Sequence, residues 1–588
     1  MALAYAAVGL FVFALFQGAS GGRGGKLGRG LMWRRLPDGK VYLGWRLLAD
    51  DAPRTGFYVF RRPQGASEED WHQLTAAPIL DSSNYLDELA DPQQGYEYVL
   101  QPCLGEVDGP VEAQTTVSAG VSKPYLSVPM DGDYQPIQAV VGDLDGDGEY
   151  ELVIKQPFFN TDPYQHPGYW KRSEGTFKLE AYKLDGTMLW RHDLGWSIEQ
   201  GVWYAPYTVF DLDGDGRAEV ITKAGEGDPR EPTGHVTSGP EWILVLDGRT
   251  GEEKHRLPWP SREGFENYNY YSRNYLYIAY LDGRHPHLIV QRGTYGLIKI
   301  EAYDGAMERV WNWEATGEYE AYRGQAAHTA VAADVDGDGR DEIVFGSAAI
   351  DDDGTGLWCR GEGHPDTIHV AHILPDSEDL QIFYGIEPRH ERHAVCLVEA
   401  ATGKMIWGCD ESTIHVHGQG MAGDVIANEP GMELWTREAD GRRCWFCTAD
   451  GREIEGEFSD WPLALFAVYW DGGPTKALVN PATCRILRYP EDEYLDFSEE
   501  GVKPCILGVA DLVGDWREEV LVSVPGEIRI YTTAIPATER RVTLLHDRMY
   551  RTGAARSGSG FPCQPQESGV LLEAGKARTG EDFWEGIL

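Results

Sequence analysis

The chain has 588 residues, of which 42% are hydrophobic and 25% charged, with a mean hydropathy of −0.39. This is the composition of a folded soluble protein with several domains, or one repeat domain with an appendage, and it excludes disordered, collagenous and multi-span membrane chains. Lys and Arg number 52 against 94 Asp and Glu, a net charge of −42, so nucleic acid and anionic lipid are repelled and drop out as partners.

Residues 1–22 hold an apolar run from Ala2 to Phe16 followed by small residues. They read as a secretory leader, although no basic residue precedes the run; the alternatives are a short membrane anchor and a mis-assigned start. The expected product is a secreted or periplasmic monomer with no membrane attachment once the leader is removed. Nine cysteines are scattered from Cys103 to Cys563, which is no disulfide framework for so long a chain. Cys444 and Cys447 lie in a strand-like stretch where positions i and i+3 face opposite ways, against a metal or redox pair.

Residues 30–118 alternate apolar and polar positions in short runs (KVYLGWRLL, GFYVFRR, YEYVLQP) and read as a fibronectin type III-like β-sandwich. From residue 120 to 588 one phrase recurs: an apolar strand, an Asp-rich turn and a second apolar strand. Eight copies open their turns at Asp143, Asp211, Leu281, Asp334, Leu374, Asp424, Trp470 and Asp511. Their spacing is that of four-stranded blades, so the expected fold is all-β: an eight-bladed β-propeller behind the small sandwich.

Three turns carry carboxylates at positions 1, 3, 5 and 9: Asp143, Asp145, Asp147 and Glu151; Asp211, Asp213, Asp215 and Glu219; Asp334, Asp336, Asp338 and Glu342. Alternate carboxylates on a tight loop converge, and a hard cation with six to eight oxygen ligands relieves their repulsion, so several Ca²⁺ ions are expected. For Asp511, Asp515 and Glu519 a metal and a plain capped turn are both open. Such ions would be structural, leaving the opposite end, at the mouth of the central channel, for a ligand. Residues expected there are Lys155, Lys223 and Arg292, just after the second strands, and Tyr134, Tyr204, His328, His364, His369, Gln419 and Lys503, just before the first. Basic groups gathered there suit a carboxylate-bearing substrate, while structural ion pairs between blades would explain Lys155, Lys223 and Arg292 equally well.

The motifs GWRLLADD, VGDLDGDGEYEL, AYKLDGTMLWR, SGPEWILVLDGRTG, IAYLDGRHPHLIVQRG, GHPDTIH, ADLVGDWREEV and IYTTAIPATERR, in that order, resemble the rhamnogalacturonan lyases of polysaccharide lyase family eleven. The resemblance implies a Ca²⁺-binding eight-bladed propeller that cuts an acidic rhamnose–uronate polysaccharide by β-elimination. Lys503 matches the family lysine implicated in binding the uronate carboxylate, and His364, Asp366 and His369 match as well. Lys503, His364 and His369 are therefore the expected catalytic residues, with Lys155, Lys223, Arg292, Gln419, His328 and Tyr134 expected to bind substrate. Several positions depart from the family pattern: Gln419 stands for an arginine, Ile386 for a histidine, Ile137 and Pro157 for an Asn and an Asp, and Glu500 and Val502 break an Asn-Gly-Thr-Lys tract. Loss of an arginine removes a forked carboxylate ligand and implies a changed pocket. The alternative is a propeller that binds uronic polysaccharide without cleaving it. A quinoprotein dehydrogenase, suggested by the tryptophans of AYKLDGTMLW and EAATGKMIW, lacks the vicinal cysteines and fits the Asp-rich turns poorly.

Overall fold

A computed structural model of the chain describes residues 27–569 apart from 106, 121, 491 and 563, so the leader expected over 1–22 lies outside the described residues. The structure is almost entirely β, in ten small sheets. Two belong to the N-terminal segment: a three-stranded sheet of Met32–Arg35, Val41–Gly44 and Asn84–Asp87, and a five-stranded one built around Thr55–Pro63 and Tyr96–Leu104. Trp45, Phe57, Val59, Tyr98 and Leu100 fill the space they enclose.

Eight antiparallel sheets follow in chain order. Their first strands are Gln138–Gly142, Tyr207–Phe210, Asn274–Ala279, Ala326–Ala333, Pro365–Ala371, Val416–Gly423, Phe466–Val468 and Cys505–Ala510. Each of the eight turn-opening residues read from the sequence falls between a first and a second strand. Second strands such as Glu151–Gln156 (ELVIKQ) and His287–Arg292 (HLIVQR) are buried along their whole length, which is why they read as continuous apolar runs. Outer strands such as Met188–Asp193 are largely solvated. The eighth sheet takes its fourth strand, Tyr125–Pro129, from the chain before the first sheet, pairing Leu126 with Ile530 and so joining the end of the series to its start.

Neighbouring sheets are laced by a repeated device. The indole N–H groups of Trp190, Trp311, Trp358 and Trp407, all on outer strands, donate to Gly248, Asp352, Ala400 and Ala449 of the next sheet at 2.7 to 3.0 Å. Each ring lies on a glycine of that sheet's outer hairpin: Gly251, Gly354, Gly403 or Gly451, all at positive φ. A Cβ there would meet the indole at 2.7 or 2.8 Å, so only glycine fits. The tryptophans that suggest a quinoprotein thus serve packing between sheets.

The space among the first strands is not open. The buried helix Arg548–Ala555 lies against the first strands of sheets one to four. Beyond it, Gln564 accepts a hydrogen bond from Ala467 N (2.8 Å) and Gln566 donates to the Ala422 carbonyl (3.1 Å), on sheets seven and six. Among the described residues the chain's own C-terminal segment therefore occupies the space among these first strands.

The N-terminal sheets are locked to the eighth turn by a buried cluster. Arg517 donates to Asp515 Oδ2 (2.8 Å) and Oδ1 (2.9 Å) and to Tyr42 OH (2.6 Å). This guanidinium gives Asp515 its counter-charge from within the chain. Because Arg517→Ala leaves that carboxylate buried and uncompensated, it should cost about 3–5 kcal/mol, read as a reduced urea midpoint; an unchanged midpoint would remove the lock from the account.

Candidate active site

The Asp-rich turns and the histidines occupy opposite ends of the first strands. In sheets four, five and six the register of the first strand shifts at its entry end, between Ala326 and Val331, Pro365 and Thr367, and His417 and Met421. Such bulges re-aim side chains. Here they set His328, Asp366 and Gln419 in the unpaired segments, and Gly418 and Gly420 supply the positive φ angles that the third bulge uses.

Asp366, almost wholly buried, is the hub. His364 Nε2 stands 3.0 Å from its Oδ1 and His328 Nε2 3.5 Å, while His417 Nδ1 donates to Oδ2 and Gly418 N approaches it at 3.3 Å. His364 is fixed on its other side by the Ala326 carbonyl, so both its ring nitrogens are engaged. His415 Nε2 lies 3.2 Å from Glu387. Around them stand Tyr295, whose hydroxyl is 3.2 Å from His328 Nε2, and Trp203, whose ring centre is 4.6 Å from that of His328.

Burial alone would raise the Asp366 pKa, but hydrogen bonds from His364 and His417 hold it well below the usual carboxylate range. The carboxylate in turn raises His417, chiefly through their hydrogen bond, and Glu387 raises His415 in the same way. Burial drives His328 well below its ordinary value, keeping it neutral. An orienting carboxylate on Nδ1 of a half-exposed imidazole leaves Nε2 able to exchange a proton with a bound molecule, the geometry of an acid–base dyad. His328, His364 and Asp366, or Asp366, His415 and His417, also bring three donor atoms each within 4.8 Å, enough to begin a cation site.

The other expected site residues are distributed differently. Lys503 is exposed at the entry to the eighth first strand, its carbonyl accepting from Gln135 Nε2 at 3.1 Å, and among the described residues it makes no ion pair. His369 is buried, donates to the Gln419 carbonyl at 2.8 Å, and is pushed by burial to about 4. With Gln419, His328, Arg556 and Phe561 it lines a cavity. Tyr134 is committed to Glu180 and Tyr182, and Tyr204 to Tyr268 at 2.9 Å.

The basic trio lies in the interior. Lys155 is fully buried between the Phe177 and Tyr207 rings, with the Ala205 carbonyl as acceptor at 2.8 Å. Lys223 and Arg292 converge on Glu241 at 2.8 and 2.5 Å. They sit inside the sheet interfaces because these second strands are buried on both faces, and the alternative of structural contacts accounts for them. Conversely, Asp366, Glu387, His415 and His417 carry more of the geometry than the sequence assigned. Their signal was available: HVHGQG precedes the sixth turn as GHPDTIH precedes the fifth.

At the other end the three full turns share one geometry. Asp143 accepts from Gly146 N (2.7 Å) and Gly148 N (2.9 Å), Asp211 from Gly214 and Gly216, and Asp334 from Gly337 and Gly339. The groups Asp143–Asp145–Glu151, Asp211–Asp213–Asp215 and Asp334–Asp336–Glu342 each converge within 4.8 Å. Lys183, from the outer hairpin of the first sheet, and Lys254, from the outer strand of the second, reach the first two, Nζ lying 2.6 Å from Asp145 and 2.9 Å from Asp213. At the third turn Glu342 Oε1 is buried with no hydrogen-bond partner, and burial pushes the carboxyl up to about 8. An orphaned oxygen among converging carboxylates fits a hard cation.

Residues 120–580 match the family model of the rhamnogalacturonan lyase family 11 C-terminal domain, and residues 24–117 that of the rhamnogalacturonan I lyase β-sheet domain. The chain is 34% identical to the rhamnogalacturonan endolyase YesW of Bacillus subtilis, covering 94% of this chain and 91% of that one. It is 33% identical to the exolyase YesX of the same organism, over 93% and 95%. The crystal structure of YesW superposes with a TM-score of 0.83 at 33% identity, covering 95% of this chain and 98% of that one. A Bacillus licheniformis family member gives the same TM-score at 31% identity, over 96% and 99%. The protein is thus an enzyme of the polysaccharide lyase class. Within that class the chain belongs to rhamnogalacturonan lyase family 11.

Lys155 supplies a clean check on its assignment to the interior. Burial lowers its pKa to about 7, whereas an unfolded lysine titrates near ~10.4. Between these values the unfolded chain binds more protons, so this group makes stability rise with pH from about 7 to 10. Lys155→Met should raise the melting temperature at pH 7 and flatten that rise without loss of substrate affinity. A large loss of affinity would return Lys155 to the site.

Proposed function

We propose that the chain cleaves a rhamnogalacturonan backbone by β-elimination at the uronate, at the rim formed by sheets four, five, six and eight. The observation that carries this is the Asp366 hub, which collects His328, His364 and His417 on the face opposite the Asp-rich turns. The eight consecutive sheets, closed by Tyr125–Pro129, support an eight-bladed propeller as the scaffold.

Elimination needs a base for the C5 proton, neutralisation of the uronate carboxylate to acidify that proton, and departure of the 4-O bond with formation of a C4–C5 double bond. His417 Nε2 takes the C5 proton, the C–H electron pair becomes the C4–C5 double bond, and the departing O4 is protonated by solvent or by the imidazolium so formed. Asp366 fixes its tautomer and stabilises the imidazolium that forms. Lys503, exposed and without an ion-pair partner among the described residues, meets the carboxylate, a role that falls to it more heavily because Gln419 cannot supply a guanidinium fork. His364, with both nitrogens engaged, positions Asp366. His369 is too weakly basic and too committed to Gln419 to remove the proton.

The three full turns would hold Ca²⁺ through Asp143, Asp145, Asp147 and Glu151, Asp211, Asp213, Asp215 and Glu219, and Asp334, Asp336, Asp338 and Glu342. There the ion would supply neutralisation of crowded carboxylates, a structural contribution remote from the elimination. Export, with removal of residues 1–22, would place the enzyme where its polymer is.

Incubated with rhamnogalacturonan, the native protein should generate the ultraviolet absorbance of an unsaturated uronate, and activity should climb as pH rises through the elevated His417 pKa. His417→Gln should lose about 10²–10⁴-fold in kcat, Lys503→Ala should lose product formation, and both should keep the native melting curve. Full activity in both variants would sink the assignment. Chelation should lower the melting temperature and added Ca²⁺ restore it by mass action on the folded state; a melting curve indifferent to exhaustive chelation would show that the turns need no cation.

A further inference from the structure

The first sheet carries a long insertion, residues 157–177, between its second and third strands, and the elimination chemistry makes no use of it. It is held at several points. Asn160 Oδ1 accepts from Val202 N (3.1 Å), Asp162 accepts from Trp203 Nε1 (3.0 Å) and from Arg273 (2.7 Å), and Trp170 Nε1 donates to Glu199 (3.1 Å) while its ring stacks on His235 at 3.8 Å. Between these anchors two large rings are left to solvent, Tyr164 48% and Tyr169 53% exposed, and Phe158, just ahead of Asn160, is 47% exposed. Tyr164 and Tyr169 pack edge to face at 5.2 Å, and His166 stacks on Tyr164 at 5.8 Å. Aromatic rings half exposed on an anchored loop keep apolar area in water, the mark of a binding surface.

The insertion is also joined to the proposed cleavage site. Asp162 holds Trp203, whose ring lies against His328. Of the insertion's two acids Asp162 is paired with Arg273 and Glu174 is exposed, while Lys171 and Arg172, also exposed, leave the insertion no net negative charge. In a chain of charge −42 this is a place where an acidic polymer can approach without repulsion.

We propose that Phe158, Tyr164 and Tyr169 form a stacking platform for the neutral deoxyhexose units of the acidic polysaccharide, seating the backbone beyond the bond that is cut. This rests on the cleavage reading above. The C–H face and methyl group of such a sugar match an aromatic face, the flanking uronates meet Lys171 and Arg172, and the anchored loop loses little entropy on binding.

The test is the double variant Tyr164→Ala/Tyr169→Ala, assayed on polymeric rhamnogalacturonan and on the shortest oligosaccharide that the native enzyme cleaves. The expected result is a roughly tenfold rise in KM on the polymer, with kcat and the short substrate unaffected and an unchanged melting curve. Tyr164→Phe/Tyr169→Phe should retain native KM, since stacking uses the ring. An unchanged polymer KM, or an equal rise on both substrates, overturns the platform. If the native enzyme cleaves neither substrate, the cleavage reading fails by itself, and the platform is then judged by migration in gels containing the polysaccharide: native retardation lost in the double variant supports it, and equal retardation overturns it.

Discussion

A buried carboxylate at the start of each of five second strands closes the turn before it. Glu151, Glu219, Glu342, Glu433 and Glu519 accept from the backbone N–H of Leu144, Leu212, Val335, Val425 and Leu512 at 2.7 to 3.0 Å, and in the fifth sheet Gln381 does the same for Ile373 and Leu374. This one bond fixes the turn, hence the register of the first two strands, hence which residues stand at the far end of each first strand. It also concentrates negative charge where burial disfavours it, raising the carboxyl pKa of Glu151 to about 7 and of Glu433 to about 7. The converging aspartates of three turns add to that load, and the surrounding lysines, Arg517 and the proposed cations offset it.

The consequence is a molecule divided by polarity of task. At the turn end, charge is gathered and neutralised for stability. At the other end the first strands loosen into bulges, and the side chains freed from pairing become the Asp366 cluster. Because the C-terminal segment occupies the space among the first strands, the proposed site takes the form of a rim, which suits a long polymer lying across several sheets. Trp203 joins the rim to the aromatic insertion of the first sheet, so proposed cleavage and proposed chain seating share one wall.

Much of this was legible in the sequence, and the failures are instructive. The eight turn positions follow from local patterning, since apolar strands flanking Asp-Gly turns need no tertiary information. Lys155, Lys223 and Arg292 stayed open between substrate binding and structural contacts because sequence position gives the end of a strand but not its burial, and these strands are covered on both faces, where Phe177, Tyr207 and Glu241 meet the three. His417 was passed over in favour of Gln419, two residues on, because a bulge that changes which of them faces the rim has no sequence signature beyond its glycines. The C-terminal segment, Arg548–Ala555 with Gln564 and Gln566, was missed because its partners are spread over many sheets, from tens to hundreds of residues away, and leave no local pattern.

The most direct test of the division between a stabilising end and a reactive end is a crystal structure of the Lys503→Ala protein with a rhamnogalacturonan oligosaccharide bound. The account predicts a uronate whose C5 lies within reach of His417 Nε2, with its carboxylate turned toward the position of the missing ammonium and the chain running past Trp203. Sugar bound against the Asp-rich turns, or a uronate remote from Asp366 and its imidazoles, would contradict it.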